Sequence, residues 1–325
     1  MSNDNVKVYT VTEPWLETNC GLGEAPFWEV SRNSLRFVDI VKEHIYFVDL
    51  NEGPKSLKRH DLGFSISTTA DIEGNDDEFI FGGKLGYGVY DRRNGKTRWT
   101  KHMWNDAERQ DDGGGKPGVG KTREARMRSN DGIVDARGRY WVGTMNDPLV
   151  VDGNVTDEGV LFRLDPDLSL HRILPGVTIP NGMSWTADNA GFYFTDSPTK
   201  QIKVYPYDLE TGGVSLDRGK TFFECPYDDG VPDGHCQDAE GHFWIACFGT
   251  GKVLRVSPAG DIVARVDLPT RCVSCPVICG KTLYVCSAEE EDPDKYPESV
   301  KYQGAVFKVD IGVGPSSLYK FNLQT

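Results

Sequence analysis

The chain has 325 residues, and its 49 acidic against 36 basic side chains give a net charge of −13. That balance excludes nucleic-acid or anionic-membrane binding by simple electrostatics, and no apolar run reaches the roughly 18 residues a spanning helix needs. The start, MSNDNVKVYT, has neither a basic head nor an apolar stretch, so no secretory signal is predicted; the eight cysteines are too sparse for a disulfide scaffold and are read as free thiols of a cytoplasmic protein.

Apolar residues at helical spacing are scarce. Short β-rich runs alternate instead with Gly, Asp, Asn and Pro turns, which is an all-β pattern. Six related units follow one another, each with an apolar strand, a turn and a second strand ending in Asp or Pro. LRFVDI and HIYFVDL come first (Leu35–Leu50), then FIFGG with GYGVYD (Phe79–Asp91) and YWVGTM with GVLFRLDP from Tyr140. FYFTDS with IKVYPYD from Phe192, FWIACF with KVLRVSP from Phe243 and LYVCSA with GAVFKVD from Leu283 complete the series. The starts lie 40 to 61 residues apart, the length of a four-stranded blade. The prediction is a six-bladed β-propeller with four-stranded antiparallel blades, one domain over residues 1–325. SLKRHDL, KTRWTKHM, SLHRIL, KTFFEC and IVARVDL supply fourth strands. An N-terminal strand over about residues 6–11 is expected to close the last blade beside LYKFNL, which removes exposed sheet edges. Residues 105–125, 146–158 and 289–298 read as long loops, places where lids and binding loops occur.

The first strand of a propeller blade lines the central channel. Eight to eleven residues before each unit start stand Glu24, the Thr69–Ala70 pair, Asp131, Asn181, Asp233 and Cys275. Gly follows Asp131, Asn181 and Asp233, permitting close backbone approach or unusual dihedrals. Asp-Gly and Asn-Gly are ordinary turn dipeptides, but their recurrence in register with the repeat points to a site. Carboxylates and a carboxamide around one point suit a hard divalent cation.

The segments GLGEAPFWE, LRFVDI, RSNDGIVDARGRYWVGTM, IPNGMSWTADNAGFYFTDS and PDGHCQDAEGHFWIACFGTGKVLRVSP resemble the superfamily of senescence marker protein-30, gluconolactonase and luciferin-regenerating enzyme, most closely its regucalcin-like branch. The resemblance spans nearly the whole chain. It implies a six-bladed propeller with one catalytic divalent metal, held by positions that fall on Glu24, Asn181 and Asp233. It places the substrate-contacting Arg and Asn on Arg128 and Asn130, with Asp131 beside them. One position departs: GTMNDPLV puts Pro148 where the branch carries a Glu, and Asp147 is the substitute. The loop 105–125 is also longer than in the animal proteins.

The activity implied is hydrolysis of a sugar lactone to its aldonic acid. An open-coordinated dication polarises the carbonyl and stabilises the oxyanion, and Asp233 or Asp131 acts as general base. His235, two residues after Asp233, is expected at the pocket. Ca²⁺, Mg²⁺ or Mn²⁺ suits an all-oxygen set, with Zn²⁺ and Fe²⁺ left open. The partner is a small sugar lactone, and the protein a monomer or weak homo-oligomer. The competing readings are a non-catalytic Ca²⁺-binding regulatory protein and an interaction scaffold.

Two patterns are set aside. Gly115–Thr122 (GKPGVGKT) matches a P-loop, but lacks the buried strand before it and the helix after it, so it reads as a glycine-rich loop. Cys272, Cys275, Cys279 and Cys286 have spacing that could suit zinc, but Cys286 falls within a strand, and an exposed reactive thiol at Cys272 or Cys275 is preferred.

Overall fold

The computed structural model describes residues 6–112, 114 and 120–324. Its strands form six small antiparallel sheets, the arrangement of a six-bladed β-propeller. The apolar runs that start the sequence units turn out to be the second strand of each sheet: Ser34–Asp39, Asn75–Gly83, Tyr140–Asn146, Gly191–Asp196, Phe243–Phe248 and Thr282–Ser287. The run before each is the first, inner strand: Gly23–Glu29, Ile66–Ile72, Met127–Val134, Pro180–Trp185, Val231–Gln237 and Val273–Cys279. Second strands alternate large apolar residues on both faces, as strands covered on both sides must.

The chain divides into two compact units. The first is residues 1–63, 199–203 and 220–317, and the second residues 64–198, 204–219 and 318–325. In the first unit, Leu35, Phe37 and Tyr46 pack with Val277, Tyr284 and Cys286, while Trp244, Val253 and Val266 pack with Ile278, Val285 and Phe307. In the second, Ile80, Tyr87 and Trp104 pack with Met127, Tyr140 and Phe162. Trp141 there meets Trp185 edge-on and lies against Phe192. Fully burying rings of this size contributes about 1.5–3 kcal/mol each.

The predicted fourth strands form in five sheets, but the chain ends differ from expectation. Lys7–Thr10 pairs in parallel with Ile262–Asp267, so it extends the fifth sheet as an extra strand. The sixth sheet has three strands, and Trp15–Leu16 bonds to Val306 at the outer position. The C-terminal segment pairs elsewhere than expected: Phe321 bridges Ile72 in the second unit and exchanges backbone bonds with Asp71 and Glu73. A short alternation can name a strand but not its neighbour, because edge pairing is decided by which apolar face the incoming chain covers.

The expected loop 105–125 contains two single helical turns. Asp106–Arg109 is closed by a capping box between Asn105 and Glu108, and Arg123–Arg126 is capped by Thr122. Part of the P-loop-like stretch, 115–119, lies outside the described residues. No helix among the described residues is long and apolar enough to cross a membrane.

Buried carboxylates brace the turn that follows the inner strand. Asp135, fully buried, accepts from the backbone N–H of Arg137 and Arg139 through Oδ1. Its Oδ2 accepts from Arg139 Nε at 2.7 Å, Trp141 Nε1 at 2.8 Å and Tyr207 OH at 2.9 Å. Asp238 repeats the pattern with Glu240 N, His242 N, Trp244 Nε1 and Arg255. Replacing Asp135 by Ala strands the Arg139 guanidinium in the interior. Urea denaturation of Asp135→Ala should show a loss of about 3–5 kcal/mol, with a smaller loss in Asp135→Asn; a change below about 1 kcal/mol in the Ala variant would remove the brace from this account.

Candidate functional site

Each inner strand carries one residue more than its partner over a short stretch. Opposite the second strand, three steps match two between Glu24 and Phe27, Ser129 and Gly132, Pro232 and His235, and Val273 and Pro276. Two steps match one between Ile66 and Thr68 and between Asn181 and Met183. An extra residue of this kind leaves the ladder locally unpaired and re-aims a side chain. Glu24 and Asn181 stand at the edge of their shifts, and Asn130, Asp131, Asp233 and Cys275 stand inside theirs. In the second sheet the shift falls on Ser67; Thr69 and Ala70 pair regularly with Phe81 and Ile80, so the position read from the sequence there was two residues late.

The glycines beside these residues serve close approach. A Cβ on Gly132 would stand 2.5 Å from the Trp141 carbonyl oxygen, and one on Gly234 2.5 Å from the Cys275 sulfur. Ala25 is held at φ 47°, a left-handed conformation that costs a non-glycine residue about 1–2 kcal/mol; its N–H donates to Glu24 Oε2 at 3.1 Å.

The segments entering two of the inner strands are clamped alike. Asp39 accepts from the N–H of Gly21 and Leu22 at 2.9 and 3.1 Å. Asp196 accepts from the N–H of Thr178 and Ile179 at 3.1 and 2.8 Å. These donors lie three and two residues before Glu24 and Asn181 respectively. Sequence reading passed over both clamps, although the Asp that ends LRFVD and FYFTD was their signal.

In the first unit, Glu24 and Asp233 are 7% exposed. The strand bearing Cys275 packs against both of their strands, and Ser274 Oγ donates to the Gly23 carbonyl at 2.5 Å. Burial of Cys272 and Cys275 overturns the exposed-thiol expectation, and burial pushes the Cys272 thiol up to about 12. None of the eight cysteines is in a disulfide. His235 is buried edge-on to Phe243, 5.4 Å between ring centres, and burial pushes its imidazole down to about 3, which leaves it neutral.

In the second unit the structure joins four side chains. Arg128 Nη1 donates to the Ser129 carbonyl at 2.8 Å and to Asn130 Oδ1 at 2.7 Å. Asn130 Nδ2 donates to the Pro180 carbonyl at 2.8 Å and to Asn181 Oδ1 at 3.0 Å. Asn181 Nδ2 donates to Ser197 Oγ at 2.9 Å. All four are less than a tenth exposed. Asp147 is held apart from this chain of bonds: Lys84 Nζ donates to its Oδ2 at 2.6 Å and to the Ala125 carbonyl at 2.8 Å. Arg126, fully buried, is paired with Glu158 and also donates to the Asp111 and Lys121 carbonyls, which pins the loop ahead of Arg128. Lys84, Glu158 and Ser197 carry no sequence signal, since their partners lie 12 to 63 residues away.

A different group of potential ligands, Asp238, Glu240 and His242, has ligand atoms within 4.8 Å of one another. Arg255 bonds both carboxylates at 2.7 Å, and Asp238 also holds the backbone of the turn, so the group serves the turn.

Asp131 is half-buried, and burial pushes its carboxyl from 3.8 up to about 6 against the pull of the Gly132 N–H at 2.6 Å. A raised folded value means the stability it gives is present below about pH 4 and lost as pH rises to 6. Denaturation in EDTA across pH 4–7 should show the wild type losing about 1–2 kcal/mol relative to Asp131→Asn, a figure discounted for partial solvent contact; parallel profiles would contradict the shift.

The family described as the SMP-30/Gluconolactonase/LRE-like region matches residues 22–289. Regucalcin of Danio rerio is 33% identical over 310 residues, covering 90% of this chain and 91% of its own. The crystal structure of a calcium-binding protein, regucalcin, from Agrobacterium tumefaciens superposes with a TM-score of 0.83 at 24% identity, covering 98% and 100% of the two chains. A gluconolactonase from Xanthomonas campestris superposes at 0.64 with 19% identity, covering 84% and 85%. At these identities the two structures speak for the fold. With the family description matching most of its length, the chain belongs to the SMP-30/gluconolactonase/LRE-like family.

Proposed function

We propose that the protein is a divalent-metal-dependent sugar lactonase that opens aldonolactones to aldonic acids. The observation that carries this reading is the placement of three hard oxygen donors, Glu24, Asn181 and Asp233, at the register shifts of inner strands, each less than a tenth exposed. Two carboxylates and a carboxamide oxygen fit a hard dication in charge and in donor type. In this reading Glu24, Asn181 and Asp233 hold the ion, and their charge of −2 balances it.

The bound cation supplies Lewis-acid polarisation of the lactone carbonyl. The remaining work falls to the chain. Arg128, a guanidinium with donors only, is read as the group that meets sugar hydroxyls. Asp131, with a proton affinity raised to about 6, is matched to taking a proton from attacking water near neutral pH; Asp233 is the alternative base. The water oxygen bonds to the carbonyl carbon, the ring ester C–O bond breaks, and the departing ring oxygen takes the proton from the base to become a hydroxyl beside the new carboxyl group, so no covalent nucleophile is needed. His235, neutral and packed on Phe243, is a poor base and acts as a wall of the pocket. Asp147 reaches substrate only if its bond to Lys84 is exchanged.

A second reading, a calcium-binding protein without turnover, is favoured by the description of the Agrobacterium relative as calcium-binding. A panel of aldonolactones assayed with the EDTA-treated protein, then with Ca²⁺, Mn²⁺, Mg²⁺ or Zn²⁺ added back, separates the two. The lactonase reading expects background rates in EDTA and recovery with metal, and at least about 100-fold loss in Glu24→Ala and Asp233→Ala, the scale seen when a major electrostatic contributor is removed. Undiminished turnover in those variants would rule out the metal mechanism. Tight Ca²⁺ binding with no lactone hydrolysed would favour the second reading.

A further inference from the structure

The Asn181 carboxamide has an oxygen end and a nitrogen end, and only the oxygen can serve a cation. We infer that Ser197 is a positioning residue that, with Arg128 at the opposite end of the same chain of bonds, fixes which end is presented. The inference rests on the reading of Asn181 as a metal ligand.

The polarity of the chain is set by groups that have no choice. A guanidinium carries donors and no acceptor, so the Asn130 atom 2.7 Å from Arg128 must be oxygen. That turns the Asn130 NH₂ to the far side, where the Pro180 carbonyl lies at 2.8 Å. A carbonyl accepts and never donates, so this contact independently demands nitrogen there. The same NH₂ faces Asn181 at 3.0 Å, and Asn181 must answer with its oxygen. One lone pair of that oxygen is then used, and the second remains for a cation. The Asn181 NH₂ is left pointing at Ser197 Oγ, 2.9 Å away.

Ser197 is itself held. It is 2% exposed and opens the short turn Ser197–Thr199 after the strand Gly191–Asp196. Its N–H donates to the Ile179 carbonyl at 3.1 Å, next to the backbone clamp made by Asp196. The hydroxyl thus meets Asn181 from a fixed backbone. Removing it leaves the carboxamide NH₂ without that acceptor and lowers the barrier to rotation of the amide. Partners of this kind, one step behind a ligand, change metal affinity by about 10- to 100-fold.

The test is titration of metal-free protein with Mn²⁺ alone, followed by calorimetry and by the EPR signal of free Mn²⁺, together with thermal melts in EDTA. Ser197→Ala should weaken Mn²⁺ binding by about 10-fold while the metal-free melting temperature stays within a few degrees, and Ser197→Thr, which keeps the hydroxyl, should restore most of the affinity. If Ser197→Ala does not fold, Ser197→Cys, a weaker acceptor of similar size, carries the same expectation. Wild-type affinity in the Ala or Cys variant overturns the inference, and so does an equal loss in Ser197→Thr. A wild-type protein that takes up no Mn²⁺ overturns instead the reading of Asn181 as a ligand, and this inference falls with it.

Discussion

Everything distinctive about this chain depends on one surplus residue in the first strand of each sheet. An antiparallel ladder alternates side chains between two faces, and a single insertion breaks that alternation at one place. Six sheets carry the insertion in their inner strands. Five of the six carry candidate polar or thiol side chains at that place. The bulge frees backbone from the ladder where buried oxygens are wanted, and the regular ladder on either side keeps the strand rigid. Gly132 and Gly234 belong to the same device, because a side chain there would collide with the neighbouring strand.

A bulged, polar inner strand is costly in a protein interior, and the fold offsets that cost at the strand's ends. Behind the bulges, Asp135 and Asp238 each gather backbone, indole and guanidinium donors. Ahead of them, Asp39 and Asp196 hold the incoming backbone. These carboxylates are saturated with donors and are structural. The side chains at the bulges are arranged differently: Asn130 and Asn181 sit in a chain of bonds with one direction, from a group that can only donate to a hydroxyl. This is why buried acids alone do not mark the site. Asp238 with Glu240 and His242 has the composition of a metal cluster, yet Arg255 already bonds both of its carboxylates.

The fold was readable because the repeat is written in the second strands, whose large apolar residues must be buried on both faces. Candidate residues in five of six sheets were readable for a related reason, since a Gly or Pro beside a polar residue recurs in step with the repeat. The second sheet was misread because Ser-Thr-Thr-Ala offers no such mark, and the shift fell on Ser67. Chain closure was misassigned because a four-residue edge strand, Lys7–Thr10, carries no information about its partner. Lys84, Glu158 and Ser197 were invisible for want of any local rule: each acts through a contact made by the fold between distant positions.

The central claim is that the bulged inner strands present oxygen ligands to one hard cation. Anomalous diffraction from crystals of the protein grown with Mn²⁺ tests it most directly. The account predicts one strong peak bonded to oxygens of Glu24, Asn181 and Asp233 at about 2.0–2.6 Å, the range of hard-cation sites. A peak at Asp238, Glu240 and His242, or none at the inner-strand residues at saturating Mn²⁺, would contradict it.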